Sequence, residues 1–226
     1  MRLGLLGGSF NPIHRCHLSI ARSARQLLQL DRVLFIPTGD PPHKQPGTLA
    51  TASHRHRMVQ LAIEDTPEFA LTDLEIRRSG KSYSIDTVRA IQQEYGPDTV
   101  LFFIIGLDAF LDLPSWKEAD TLLKSCHFVV ISRPSTSFQA MAAIPLFRDV
   151  PQTTLTALDE ARQERADVAI TNGQALTFLR LPPCDVSASE IRTRLRSGAS
   201  LANLLPAPVE SYILHEGLYR EDSERL

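Results

Sequence analysis

The sequence predicts an α/β fold, a Rossmann-like open parallel sheet with helices on both faces. Short apolar runs alternate with helical patterns along the 226 residues, and several of these runs are apolar throughout, as is typical of parallel strands covered on both faces. A glycine turn also leads directly from the first run into a helical pattern. The length and the 43% hydrophobic content suit a single domain.

The runs rich in aliphatic and β-branched residues are predicted as strands because they are short and bounded by turn residues. They are Arg2–Leu6, Val33–Ile36, Ala70–Ile76, Thr99–Ile105, Phe128–Ser132 and Ala175–Leu181.

Segments whose apolar residues recur every three or four positions are predicted as helices. They are Leu18–Leu30, His54–Glu64, about Ser84–Glu94, a short helix that opens at Ser189, and Pro208–Glu216, which ends at Gly217.

Two segments lack a clear pattern. Thr38–Ser53 is rich in Pro, Gly and Thr, and a loop of this length in a compact domain is more often functional than idle. Residues 134–167 are ambiguous, with a possible helix at Leu155–Arg165, and no site is predicted there. We expect residues 1–185 to form the α/β core and residues 186–220 a small C-terminal helical part, within one domain spanning 1–226.

The charge balance excludes several classes of partner. The chain has 24 basic and 26 acidic residues and a formal net charge of −2, so no overall field attracts nucleic acid or an anionic membrane. The longest internal apolar run, Val100–Ile105, is far shorter than the roughly 20 residues that a membrane helix needs. Any anion site must therefore be local, and the oligomeric state is left open.

The cysteines favour a reducing compartment. Cys16, Cys126 and Cys184 are few, odd in number and widely spaced, which suggests neither a disulfide framework nor a zinc motif. The apolar start of the chain is also too short for a signal peptide. We expect a cytoplasmic protein without a metal site built from side chains.

The segment Gly7–His17 is a candidate phosphate cradle, because it follows the first strand and its paired glycines let backbone N–H groups approach an anion. It has neither the G-x-G-x-x-G pattern nor the ending of a P-loop. His14 and His17 are three apart and share a face if the helix begins there, so both can donate to phosphate and, when protonated, stabilise developing charge. The same spacing is explained equally well if the two histidines cap the helix or pack in the core. A zinc site formed by the two histidines is less favoured, because no third ligand lies at a suitable distance in the sequence.

Residues 8–17, Gly-Ser-Phe-Asn-Pro-Ile-His-Arg-Cys-His, resemble the G-[ST]-F-[DN]-P-x-H-x-G-H signature of the HxGH nucleotidyltransferases, and in particular the bacterial nicotinate-nucleotide adenylyltransferases. The glycine between the two histidines of the signature is Cys16 here. The resemblance implies a fold of the nucleotidyltransferase type, and it implies that Gly8, Ser9, Phe10, His14 and His17 bind ATP.

Residues 187–192, Ser-Ala-Ser-Glu-Ile-Arg, resemble the second signature of that superfamily, [ST]-x-[ST]-x-x-[IV]-R. Ser189 is predicted to cap a helix whose N-terminus faces an anion, and Arg192, one turn later, can bind two phosphate oxygens. A serine and an arginine at a helix start usually have a structural role when no other motif is present. The phosphate-binding interpretation therefore depends on the presence of the first signature in the same chain.

Further segments match the same enzymes in order. Gly106 and Asp108 after the most apolar strand resemble a G-x-D element that binds the adenosine ribose, and Arg133 resembles part of an R-R-P element that contacts ATP. For the pyridine substrate the resemblance implies Lys44 in Pro-Pro-His-Lys, Ser84 in Tyr-Ser-x-Asp-Thr and Trp116, whose indole would stack on the ring. Each has a structural alternative: a surface turn, a helix cap or a core residue.

The resemblance implies an enzyme that transfers the adenylyl group of ATP to nicotinate mononucleotide in NAD biosynthesis. His14, His17 and Arg192 would be catalytic, and Mg²⁺ would be bound mainly through the phosphates. Phosphoryl-type transfer needs positioning and charge neutralisation, so no nucleophile is required. The alternatives are a related enzyme that uses phosphopantetheine, a cytidylyl group or nicotinamide mononucleotide, and a nucleotide sensor without turnover.

Overall fold

The computed structural model describes residues 1–39, 49–133, 136–147, 150–170 and 174–220. The strands in these residues are β1 (Arg2–Gly8), β2 (Arg32–Pro37), β3 (Phe69–Leu71), β4 (Val100–Gly106), β5 (His127–Ile131), β6 (Arg165–Ala169) and β7 (Ala175–Leu179).

The α-helices are α1 (Arg15–Leu28), α2 (Ala52–Ile63), α3 (Leu74–Arg77), α4 (Ser84–Tyr95), α5 (Leu107–Leu111), α6 (Ala119–Ser125), α7 (Gln152–Asp159), α8 (Ala188–Ser197) and α9 (Ala207–His215). Short 3-10 turns lie at Leu113–Ser115, Phe138–Ala143 and Pro145–Phe147.

The seven strands form one sheet in the order β3-β2-β1-β4-β5-β7-β6. All neighbouring pairs are parallel except β6 with β7. At the centre, Leu3 of β1 pairs with Arg32 of β2 on one side and with Leu101 of β4 on the other. The predicted α/β fold is confirmed, with one antiparallel strand at the edge of the sheet.

Helices cover both faces of this sheet. Buried side chains of α1, α2, α8 and α9 pack on one face, as Leu18 and Ile191 do. Those of α4, α5, α6 and α7 pack on the other, as Val88 and Phe110 do. The two C-terminal helices therefore share their hydrophobic layer with α1 and α2. No helix within the described ranges is both long and apolar enough to cross a bilayer.

Several elements differ from the sequence prediction, and the short helices α5 and α6 were not predicted. The strand predicted at Ala70–Ile76 ends at Leu71, and α3 follows, because the Thr72 hydroxyl accepts the Leu74 N–H at 3.2 Å and the chain turns there. The edge strand β6 was not predicted, since only Ala166 in it is fully buried and the alternation of apolar residues is weak. The possible helix at Leu155–Arg165 is α7, which is shorter and begins earlier.

The expectation that the cysteines form no disulfide is wrong. Cys16 and Cys184 are joined by a disulfide with a Cα–Cα separation of 5.8 Å, although 168 residues separate them in sequence. Spacing alone does not reveal the pair, because the fold brings the first turn of α1 beside the loop between β7 and α8. Cys126 is free and buried.

Candidate active site

A cavity of about 560 Å³ lies at the carboxyl ends of the central strands β1 and β4. In an open α/β sheet the crevice between strands whose crossovers diverge is the usual ligand site. Most of the predicted site residues line it: Gly8, Ser9, Phe10, His17, Ser84, Gly106, Asp108, Trp116 and Arg133.

The turn after β1 is held tightly. Phe10 is buried with a φ of 44°, a left-handed conformation that few side chains adopt, and its ring packs edge-on against His17 at 5.1 Å between centroids. A Cβ on Gly8 would lie 3.2 Å from the Phe10 ring. The glycine therefore lets the aromatic ring fold under the turn, which leaves the backbone facing the cavity.

His14 and His17 lie side by side at the start of α1, with their ring planes tilted by 33°. His14 is the N-cap residue rather than a residue of the first turn, and the two ring centroids are 3.8 Å apart. The backbone N–H of His14 donates to Nδ1 of His17 at 3.2 Å. Because Nδ1 accepts, a neutral His17 carries its proton on Nε2 and can donate from that nitrogen. His14 is buried, and its Nδ1 has no hydrogen-bond partner within the described part of the chain.

Both rings are uncharged at neutral pH in the free protein. Burial, and secondarily the charge of Arg133, lower the pKa of His14 from 6.5 to about 4. The pKa of His17 is also well below its usual value, because of burial and the neighbouring His14 and Arg133. Of the two roles expected for the histidines, the free protein therefore favours hydrogen bonding by neutral rings over charge stabilisation by protonated rings.

The second signature meets the first in space. Nη1 of Arg192 donates to the backbone carbonyl of Asn11 at 2.8 Å, and Ala188 lines the cavity. Ser189 does not cap α8 as predicted. The N-cap is Ser187, whose hydroxyl accepts the Glu190 N–H at 3.1 Å, because the helix begins one residue earlier.

Ser189 therefore lies in the first turn of α8, where backbone N–H groups lack partners within the helix. Its hydroxyl is exposed and lies 3.1 Å from that of Ser187. The N-terminus of α8 and its serines thus lie next to the wall that Ala188 contributes to the cavity.

The opposite wall is formed after β4. Asp108 forms an ion pair with Arg133, with Oδ1 and Nε 3.4 Å apart. A Cβ on Gly106 would overlap Oδ1 of Asp108 and Nε of Arg133, so a larger residue would require these two side chains to shift.

The far end of the cavity holds the predicted pyridine-site residues that are described. Trp116 is half-buried and contacts Phe103 edge-on at 6.3 Å between centroids. Ser84 is the first residue of α4 and Tyr83 is its N-cap, so the expected cap at Ser84 is not observed. Lys44 lies outside the described residues.

Arg55 was missed by the sequence reasoning. Its side chain is 2% exposed and donates to the carbonyl oxygens of Ser9 at 2.8 Å, Thr38 at 2.6 Å and Ala50 at 3.0 Å. It thus joins the turn after β1 to the segment after β2. A signal was available, because Arg55 lies on the buried face of α2, three residues before Met58.

Comparison with known proteins finds relatives in sequence and in fold. The sequence model of the family described as cytidylyltransferase-like matches residues 5–194. Proteins named probable nicotinate-nucleotide adenylyltransferase are 42% identical in Geobacter metallireducens, over 98% of this chain and 100% of that protein, and 37% identical in Moorella thermoacetica, over 97% and 92%. A structure titled Plasmodium falciparum nicotinic acid mononucleotide adenylyltransferase complexed with NaAD superposes with a TM-score of 0.71 at 19% identity, covering 96% of this chain and 97% of that one.

The depressed pKa of His14 predicts that acid destabilises the protein. His14 has a pKa of about 4 when folded and an ordinary value of 6.5, so between these values the unfolded chain binds the extra proton. The stability is fully present above about pH 6.5 and is lost as the pH falls towards 4, by about 3 kcal/mol from this group. Urea unfolding at pH 7 and pH 4.5 should show a smaller pH dependence for His14→Gln than for wild type. Parallel losses in the two proteins would contradict the assignment.

Proposed function

Because the chain belongs to the nicotinate-nucleotide adenylyltransferases of the cytidylyltransferase-like family, we propose that it transfers the adenylyl group of ATP to nicotinate mononucleotide. The products are nicotinate adenine dinucleotide and pyrophosphate. The observation that carries the proposal is that both signatures meet at one cavity: Gly8, His17 and Ala188 line it, and Arg192, outside the lining, donates to the carbonyl of the lining residue Asn11. We further propose that the chain acts as a single domain in the cytoplasm.

The triphosphate is proposed to lie between the two signatures. Nε2–H of His17 donates to an oxygen near the α-phosphorus, and the ring of His14 lies against that of His17. The first turn of α8, with Ser189 and Arg192, binds the β- and γ-phosphates, since a helix N-terminus favours anions. The two signatures are far apart in sequence, but in the folded protein they would bind the triphosphate from two sides.

The remaining walls suit the nucleosides. Asp108 can accept from ribose hydroxyls, and Arg133 supplies positive charge beside the histidines, as its effect on their pKa values indicates. A second cavity of about 310 Å³ shares Ile20, Ile131 and Arg133 with the first and offers room for the adenine base. At the opposite end, Trp116 is proposed to stack on the pyridine ring and Ser84 to contact its carboxylate.

The proposed reaction is direct. A 5′-phosphate oxygen of the mononucleotide attacks the α-phosphorus in line, and the bond to pyrophosphate breaks. Neutral imidazoles suit this role because they need no reorganisation to donate hydrogen bonds, and a bound triphosphate raises their pKa by its negative charge. The residues therefore position and neutralise charge, and none has to form a covalent bond.

The cavity favours Mg²⁺ that is bound through phosphate. The carboxylates that line it are engaged: Glu75 accepts from the Thr87 hydroxyl at 2.7 Å, and Asp108 pairs with Arg133. Within the described ranges, no group of three or more His, Cys, Asp or Glu side chains could hold a metal ion. When bound, Mg²⁺ would neutralise negative charge on the phosphates.

The reaction is tested by measuring pyrophosphate release from ATP with nicotinate mononucleotide, nicotinamide mononucleotide and phosphopantetheine in turn. We expect release with the pyridine nucleotides and fastest turnover with nicotinate mononucleotide, accompanied by formation of the dinucleotide. Turnover with phosphopantetheine alone would indicate a related enzyme. ATP binding without release under any condition would indicate a sensor.

The variant His17→Ala removes the proposed hydrogen bond to the transition state. We expect kcat to fall by about 10²-fold or more, which corresponds to roughly 3 kcal/mol, while the urea midpoint stays near that of wild type. The control His215→Ala changes an exposed histidine of α9 outside the cavity and should keep wild-type kcat. Near-normal turnover of His17→Ala would remove this histidine from the catalytic role.

The variant Trp116→Ala removes the proposed stacking surface. We expect the KM for nicotinate mononucleotide to rise by about tenfold, because stacking of aromatic rings contributes roughly 1 kcal/mol beyond the buried area. The KM for ATP should stay unchanged, and Trp116→Phe should restore much of the affinity. A KM that rises for ATP instead would place the indole on the adenylyl side.

A further inference from the structure

The disulfide between Cys16 and Cys184 lies at the junction of the two signatures. Cys16 is buried in the first turn of α1, between the positions of His14 and His17, and Cys184 lies three residues before the N-cap Ser187 of α8. The Cα–Cα separation of 5.8 Å is within the usual range for a disulfide. The bond therefore ties the two elements that we propose to hold the triphosphate.

Both cysteines also line the second cavity, the one of about 310 Å³ that we propose to receive the adenine base. This cavity is continuous in its lining with the main site, since Ile131 and Arg133 belong to both. Movement of the loop that carries Cys184 would therefore change the wall of the proposed ATP site.

That loop has few other attachments. The N–H of Leu181 donates to the Ser132 hydroxyl at 3.1 Å, but no backbone N–H of residues 182–187 donates to another described residue. Two positions in the loop are prolines, Pro182 and Pro183, which have no N–H to donate. Val186 is partly packed, Ser187 is bonded into α8, and the disulfide links the segment directly to α1.

We infer that Cys16 and Cys184 form a reversible thiol–disulfide modification site that controls the affinity of the enzyme for ATP, an inference that rests on the proposed function. In the oxidised form the tether orders the loop before ATP binds. In the reduced form the loop must lose conformational entropy when ATP binds, so the affinity for ATP falls. The reactant is a low-molecular-weight thiol or its disulfide.

The exchange is a balanced two-electron step. The thiolate of one reductant molecule attacks Sγ of Cys184, which is the more exposed partner, and the Cys16 sulfur leaves and takes up a proton. A second thiolate then attacks the mixed disulfide, which releases the protonated Cys184 thiol and the oxidised reductant. Two protein thiols form, and two reductant thiols become one disulfide.

The third cysteine provides an internal control. Cys126 is 1% exposed, and burial raises the pKa of its thiol to about 12, so it forms little thiolate and reacts slowly. The redox response should therefore belong to the pair alone.

The experiment compares wild-type enzyme treated with dithiothreitol with enzyme oxidised by glutathione disulfide. Intact-mass measurement after alkylation in denaturant counts the thiols, and pyrophosphate release gives kcat and the KM for each substrate. We expect one free thiol in the oxidised form and three in the reduced form. On reduction the KM for ATP should rise by roughly tenfold, which corresponds to 1.4 kcal/mol, while kcat and the KM for the mononucleotide change little.

Two variants sharpen the comparison. Cys184→Ser should show the reduced-form KM for ATP in either buffer, whereas Cys126→Ala should retain the full redox response. Three free thiols under oxidising conditions, or an ATP KM that is unchanged or lower on reduction, would overturn the inference. Absence of pyrophosphate release in both redox states would instead contradict the proposed function, so the two failures are distinguishable.

Discussion

The candidate site depends on the adjacency of β1 and β4 at the centre of the sheet. The two strands are parallel neighbours, yet α1 after β1 and α5 after β4 pack on opposite faces. Their connections therefore diverge at the carboxyl ends and leave a crevice. Two walls of the proposed site follow from this divergence, because the turn after β1 forms one side and the segment after β4 the other.

Buried polar contacts then fix the turn after β1. The Asn11 carbonyl accepts from Arg192, and its Oδ1 accepts the Ala50 N–H at 3.0 Å and the Tyr219 hydroxyl at 2.8 Å. One residue thus ties together the first signature, the segment before α2, α8 and the C-terminal region. Arg55 donates to four further carbonyl oxygens, and leaving such groups without donors costs about 1 to 3 kcal/mol each. These contacts hold the turn after β1 in a fixed position before substrate binds. Adenylyl transfer without a protein nucleophile depends on such preorganisation.

Much of the fold was predictable because the central strands are apolar throughout, as in Val100–Gly106, and a helical pattern follows most of them. The elements β6 and α3 were missed because few of their side chains are buried, and α5 and α6 because helices of five and seven residues are too short to show a periodic pattern. Most of the cavity lining could be identified from contiguous motifs. Arg55 and the Cys16–Cys184 pair could not, since their importance arises from contacts between distant segments that periodicity does not encode.

The central claim is that one triphosphate lies between the histidine turn and the N-terminus of α8. A crystal structure with a non-hydrolysable ATP analogue tests it most directly. The account predicts a phosphate oxygen within hydrogen-bond distance of Nε2 of His17 and the terminal phosphates against the first turn of α8 near Ser189 and Arg192. Phosphates bound elsewhere, with His17 and α8 both untouched, would contradict it.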